Sequence, residues 1–297
     1  MLPPDAVWFV TGCSSGIGVA IARHVVSQGH RLIATARKVS TLSYLPDSDP
    51  NILKLPLDVC SLESIDGALH ATLEKFGRLD VMINNAGYNS VGIAEVVPES
   101  TMRLTMETNF WGPMRLTRKA VAILRDVNPN SGSIGGTIVN VTSIGGRLAL
   151  PAEAAYHASK FALEGFTEAI TSELHPDWKI RVMLLEPGGT KSQFTTQSNA
   201  NSRADFREHS AYQDENMAVN QMIKALSDPG LNEKLIEAER VAKTLFDVLE
   251  KHEALPMRLP TGKDAYGIIR AKESAKMDEL ERWKSVTESV GDADIPK

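Results

Sequence analysis

Short apolar runs alternate with longer amphipathic stretches through the first 190 residues of the chain. Residues 6–10, 31–36, 52–57, 81–84, 137–141 and 181–185 are brief, rich in Val, Ile and Leu, and apolar on both alternating faces. Strands of that kind are covered on both sides, as in a parallel sheet. Between them, residues 17–28, 62–76, 100–124 and 155–173 carry helical periodicity. Ser61 stands ready to cap the second of these, and Pro98-Glu99-Ser100 precedes the third. The alternation predicts an α/β fold, a Rossmann-type, doubly wound, mainly parallel sheet of about seven strands flanked by helices.

Beyond residue 190 the pattern loosens. Residues 190–231 are polar, with Phe194, Phe206, Tyr212, Met217 and Met222 scattered among them. In a doubly wound fold this stretch follows the carboxyl end of a late strand, where ligands bind, so it is expected to form a substrate lid. A plain surface excursion is the alternative. Residues 232–250 are again amphipathic, and 257–260 are a candidate last strand. Residues 269–290 predict a C-terminal helix with Met277, Leu280 and Trp283 as its apolar stripe. No repeat and no break in composition divides the chain, so residues 1–297 are read as a single domain.

The first strand runs into Thr11-Gly12-Cys13-Ser14-Ser15-Gly16-Ile17-Gly18 and then a helix. Glycines let the backbone turn tightly and approach a ligand, and the helix N-terminus offers free N–H groups to a pyrophosphate. Alone, such a turn could be a simple helix entry. Between a first strand and a first helix it points to a dinucleotide. Where an acid would hold a ribose 2′-hydroxyl at the end of the second strand, the sequence has Arg37-Lys38. Two cations suit a 2′-phosphate, which favours NADP(H) over NAD(H).

The remaining composition narrows the classes. The net charge of −5, without a basic cluster, argues against nucleic acid or an anionic membrane as partner. Two cysteines, Cys13 and Cys60, lack the spacing of a disulfide framework or a zinc site and fit a reducing compartment. No apolar run reaches the roughly 20 residues of a membrane span, and the N-terminus does not read as a signal peptide. A cytoplasmic location is expected. No metal is implied, and neither a Walker lysine nor a Gly-x-Ser-x-Gly elbow is present.

Further motifs follow the glycine turn in order: Asp58-Val59, Asn84-Asn85-Ala86-Gly87, Asn109, Ser143, Tyr156-x-x-x-Lys160 and Pro187-Gly188. With the glycine turn, they make the chain similar to the short-chain dehydrogenases/reductases. Its C-terminal third resembles a subgroup of hydroxysteroid-, retinol- and ketone-type reductases. Tyr156 and Lys160 lie four apart, on one face of a helix. A nearby ammonium would stabilise the phenolate, letting Tyr156 exchange a proton with a carbonyl or alcohol oxygen. Ser143 would bond that oxygen. Thr142 is a nearby rival, but Ser143 is the residue that matches the family serine. His157 is expected to face away by about 100° of helix rotation and to be structural.

The resemblance implies further roles. Lys160 also binds the nicotinamide ribose, and Asn109 holds a water in a proton relay to Lys160. Asp58, with the Val59 backbone, contacts adenine, while Asn85, Ala86 and Gly87 line the ribose. Ser192 takes the place of the usual threonine near the nicotinamide amide, with Thr190 as a substitute. With Gly12, Ser14, Ser15, Gly16, Ile17, Gly18, Arg37, Lys38, Pro187 and Gly188, these form the expected cofactor set. Tyr88 and Phe194 are the expected substrate contacts beside Ser143. The family usually forms homodimers or homotetramers, through the helices matching 100–124 and 155–173. The expected function is hydride transfer between NADP(H) and an apolar carbonyl or secondary alcohol. An isomerase, cyclase or dehydratase on the same scaffold, or a non-catalytic NADP(H) sensor, are the alternatives.

Overall fold

The computed structural model describes residues 2–192, 209–228 and 230–291. Seven parallel strands form one sheet: β1 (Val7–Val10), β2 (Arg31–Ala36), β3 (Ile52–Pro56), β4 (Val81–Asn84), β5 (Gly136–Val141), β6 (Ile180–Pro187) and β7 (Arg258–Thr261). Their spatial order is β3-β2-β1-β4-β5-β6-β7. Val10 pairs with Ala34 on one side and Ile83 on the other. After β3 the chain crosses over β1 to begin the second half at β4. The connections leaving β1 and β4 therefore diverge, and a crevice opens at their carboxyl ends.

Alternation along β1 assigns the two layers. Trp8 and Val10 join the core beneath α1 (Gly16–Ser27) and the late helix Ala238–Lys251, where Trp8 stacks on Phe246 at 5.6 Å. Val7 and Phe9 join the opposite core, beneath α2 (Leu62–Phe76) and the helix Gly112–Ala122. Ser61 caps α2, its hydroxyl accepting from the Ser64 N–H at 3.2 Å. Among the six strands expected to be covered on both sides, β3 departs from that burial. It is one edge of the sheet, opposite β7, and Leu53, Lys54 and Leu55 are half-buried.

The helix expected over 100–124 is interrupted. It runs as Glu99–Met106, a π-helical stretch Glu107–Trp111, a second α segment Gly112–Ala122, and a further π stretch Ile123–Val127. Such widened turns rotate the residues that follow and often accompany functional sites. The first contains Asn109, which is fully buried.

The C-terminal helix also differs from the expectation over 269–290. It begins earlier, at Lys263, runs to Arg282 and breaks at Trp283 before a short turn Lys284–Glu288. Its start follows directly from β7, because Gly262 at φ 122° reverses the chain there. Met277, Leu280 and Trp283 do not form a packing stripe, each being 56% exposed. The helix is held near its start, by Ala265 and Ile269, and by Glu273, which accepts from Arg147 at 3.1 Å. Among the described residues no helix is long and apolar enough to cross a membrane.

Candidate active site

The crevice above β1 and β4 is a cleft of about 530 Å³. Its floor is the glycine turn. Gly16 takes φ +56°, and a Cβ there would come within 2.7 Å of the Ser192 Cβ. Gly18 is tighter still: a Cβ would stand 2.2 Å from the Gly12 carbonyl oxygen. Thr11 and Asn85 brace this turn. Asn85 donates through Nδ2 to the Thr11 and Gly12 carbonyls at 2.9 and 3.2 Å. The Thr11 hydroxyl accepts from the Asn85 and Ala86 N–H groups, both at 2.9 Å. The Asn-Asn-Ala-Gly segment thus fastens the end of β4 to the end of β1.

Most expected cofactor residues line this cleft: Gly12, Ser14, Ser15, Gly16, Ile17, Arg37, Asp58, Val59, Asn85, Ala86, Gly87, Tyr156, Lys160, Pro187, Gly188, Thr190 and Ser192. Gly18 lies beneath the surface as a spacer. Lys38 is exposed and does not reach the lining, whereas Arg37 does. Among the described residues Arg37 has no acidic partner and no hydrogen bond, so its guanidinium stands available at the cleft. Phe194 lies outside the described residues. Of the described part of the 190–231 stretch, Thr190, Ser192, Leu226 and Leu231 reach the cleft.

The helix Ala154–Glu173 delivers Tyr156 and Lys160 to one face. Ser143 follows β5 and hydrogen-bonds the Tyr156 phenol, while also accepting from the Gly145 N–H at 3.0 Å. Lys160 is buried, and its Nζ donates to the Val141 carbonyl at 2.9 Å. That carbonyl is its only hydrogen-bond acceptor among the described residues. An ammonium has three donors, so two remain for a group entering the cleft. The Nζ also lies 5.6 Å from the centre of the Tyr156 ring.

Electrostatics set the resting protonation states. Burial pulls the Lys160 pKa down to about 8, opposed by the negative charge of Glu164. Burial pushes the Tyr156 pKa up; the Ser143 hydrogen bond opposes this, and the Glu153 charge adds to it. The phenol is therefore held protonated and poised to donate. Asn109 is turned inward. Its Oδ1 accepts from the Tyr88 N–H at 2.7 Å, and its Nδ2 donates to the Tyr88 carbonyl at 2.8 Å and to Ser159 at 3.0 Å. It clamps the backbone at Tyr88, which lines the cleft.

Two residues of the cleft, His157 and Glu153, depart from what their sequence positions suggest. His157 does not face away: its ring lines the cleft 5.7 Å from that of Tyr156, because Nδ1 is drawn to the Gly145 carbonyl at 3.0 Å. A rotation of 100° moves the Cβ, but the imidazole folds back against the loop after Ser143. Glu153 also lines the cleft, with Asn89 donating to its Oε1. In sequence it is only an acid ahead of a helix, and nothing local announces Asn89 as its partner.

Comparison with known proteins agrees with this arrangement. The sequence model of the short chain dehydrogenase family matches residues 6–203. The chain belongs to that family. The oxidoreductase calM of Penicillium decumbens is 43% identical over 287 residues, covering 94% of this chain and 91% of the relative. The crystal structure of a short-chain dehydrogenase from Streptomyces avermitilis superposes with a TM-score of 0.82 at 31% identity, covering 97% of this chain and all of that one. Burkholderia structures of the same fold are known with either nucleotide. That from B. phymatum, in complex with NAD, has a TM-score of 0.73 at 22% identity, covering 91% and 94% of the two chains. That from B. cenocepacia, in complex with NADP, has a TM-score of 0.71 at 23% identity, covering 95% and 98%. This short-chain dehydrogenase is thus an oxidoreductase by family, with a seven-stranded parallel sheet like those of its relatives.

Proposed function

We propose that the protein is an NADP(H)-dependent reductase of apolar carbonyl compounds, with Tyr156 as the proton donor. The observation that carries the cofactor choice is Arg37, which lines the cleft beyond the end of β2 without an acid beside it. The residues fit such a nucleotide: a glycine turn too close for side chains, a free guanidinium, and a buried Lys160 with unmet donors. When bound, the nicotinamide supplies the hydride that the carbonyl carbon takes up. Tyr156 gives its phenolic proton to the carbonyl oxygen, completing the O–H of the alcohol. Ser143 bonds the same oxygen as negative charge develops there. Lys160 steadies the phenolate left behind and binds the ribose hydroxyls, while Asn109 positions the Tyr88 backbone. Leu104, Leu150, Leu226, Leu231 and Leu235 give the cleft its apolar wall.

The cofactor assignment is tested by thermal shift and dissociation constants with NADPH and NADH. Wild type is expected to bind NADPH at least tenfold more tightly. Arg37→Ala removes a charge-assisted contact of about 1.5–3 kcal/mol, so NADPH affinity falls roughly 10- to 100-fold while NADH is little affected. Equal affinity of wild type for both nucleotides contradicts it.

Lys160 gives the cofactor interaction a pH dependence. Below about 8 its amine is charged; as pH rises through about 8 the charge is lost. NADPH affinity is therefore expected to weaken as pH goes from 7 to 9, by up to about tenfold for one charge-assisted bond. In Lys160→Met, binding is weaker at pH 7 and flat across that range. A wild-type profile as flat as the variant's removes Lys160 from cofactor binding.

A further inference from the structure

The lining of the cleft includes Leu104, Leu150, Leu226, Leu231 and Leu235 and, at the start of the helix that carries Tyr156, Glu153 and His157. Glu153 immediately precedes the helix that carries Tyr156, three residues before it. Asn89 fixes one carboxylate oxygen, Oε1. The other, Oε2, makes no hydrogen bond among the described residues. His157 is 4% exposed. Its Nδ1 lies 3.0 Å from the Gly145 carbonyl, which can only accept, so Nδ1 carries a proton and the ring is held beside Tyr156. A carboxylate oxygen left unpaired at a desolvated site is costly, and a ligand that brings a donor recovers that cost.

We infer that Glu153 is a specificity residue whose free carboxylate oxygen selects carbonyl substrates bearing a donor group, a hydroxyl or an ammonium, close to the reacting carbon. The inference rests on the carbonyl-reductase reading of this cleft and narrows its substrate class. Oε2 presents lone pairs, so a matching group must bring a proton. The leucine wall takes the apolar remainder of the molecule. The position of Glu153, three residues before Tyr156 at the start of the same helix, places the donor within a few carbons of the carbonyl. A substrate lacking the donor strands a desolvated carboxylate against the leucines, which is the stronger part of the discrimination.

The test compares three alcohols of one chain length, 2-decanol, 1,2-decanediol and 1-amino-2-decanol, by calorimetric titration of the NADP⁺-saturated protein. Wild type is expected to bind the diol, the amino alcohol or both at least tenfold more tightly than 2-decanol. Which one leads separates hydroxyl from ammonium recognition. Glu153→Gln keeps an acceptor for Asn89 but turns an N–H toward the ligand, and Glu153→Ala removes the group. In both, the preference is expected to fall to within about twofold. Equal binding of all three by wild type overturns the inference without recourse to any variant, as does a preference that persists in both variants. Turnover of 2-decanone and 1-hydroxy-2-decanone with NADPH is followed in parallel. A donor preference in binding without turnover of either ketone upholds the Glu153 contact and defeats the reductase reading.

Discussion

Replacing Tyr156 by phenylalanine is expected to lower kcat for carbonyl reduction by roughly 10²- to 10⁴-fold, the usual contribution of a positioned proton donor. The change removes one oxygen and leaves the ring, so packing against His157 and beneath Lys160 is retained. The phenol is the group that burial and the Glu153 charge keep protonated, and Ser143 is the hydroxyl bonded to it. Without it, Ser143 still bonds the carbonyl oxygen but no group of suitable acidity delivers the proton. NADPH affinity should change by less than about threefold, since the phenol oxygen is not part of the phosphate or ribose cradle. Steady-state rates at saturating ketone, with fluorescence titration of NADPH, measure both quantities. A variant with more than a tenth of wild-type kcat would remove Tyr156 from proton transfer.

Gly18→Ala has the second largest expected effect, and it acts through backbone geometry. The new Cβ would stand 2.2 Å from the Gly12 carbonyl oxygen and 2.7 Å from the Asn85 Nδ2. Neither atom can yield easily. The first belongs to the turn itself, and the second holds the Thr11 and Gly12 carbonyls. Relief requires the start of α1 to move away from β1. Overpacking of this kind costs about 1–3 kcal/mol and more where backbone must shift. At roughly 2–4 °C per kcal/mol for a chain of this size, the melting temperature should drop by several degrees. Because the same turn forms the floor of the cleft, NADPH should no longer raise the melting temperature of the variant. Wild-type stability together with an intact NADPH shift would show that the turn is not the tight floor described.

These effects trace to features that differ in how far the sequence reveals them. The glycine turn, the Tyr-Lys pair and the strand-helix alternation are local patterns, each dictated by spacing along a few residues. The structure places them as spacing predicts. Arg37 was legible for the same reason, as the residue next after β2. What the sequence hid depends on partners far apart. Asn109 lies in a helical-period segment, yet its turn widens into a π stretch and its side chain clamps a backbone 21 positions away. Glu153 acquires its meaning from Asn89, 64 positions distant. His157 was misplaced because helix rotation fixes where a side chain starts, while the Gly145 carbonyl decides where the ring ends. The C-terminal segment misled in the opposite direction. Met277, Leu280 and Trp283 have helical spacing, but the helix leaves the body of the protein after Lys276 and carries them into solvent. Periodicity predicts a helix there correctly and says nothing of what its apolar face meets.

Reduction of a carbonyl by NADPH through Tyr156 leaves an isotopic trace. The protein is incubated with NADPH deuterated at the transferable C4 position and 1-hydroxy-2-decanone, and the product is read by mass spectrometry. Wild type is expected to give a diol one mass unit heavier, with deuterium on the new carbinol carbon, and Tyr156→Phe a yield lower by at least 10²-fold over the same initial period. Tight NADPH binding with no deuterium in any product, from this ketone or from 2-decanone, would contradict it.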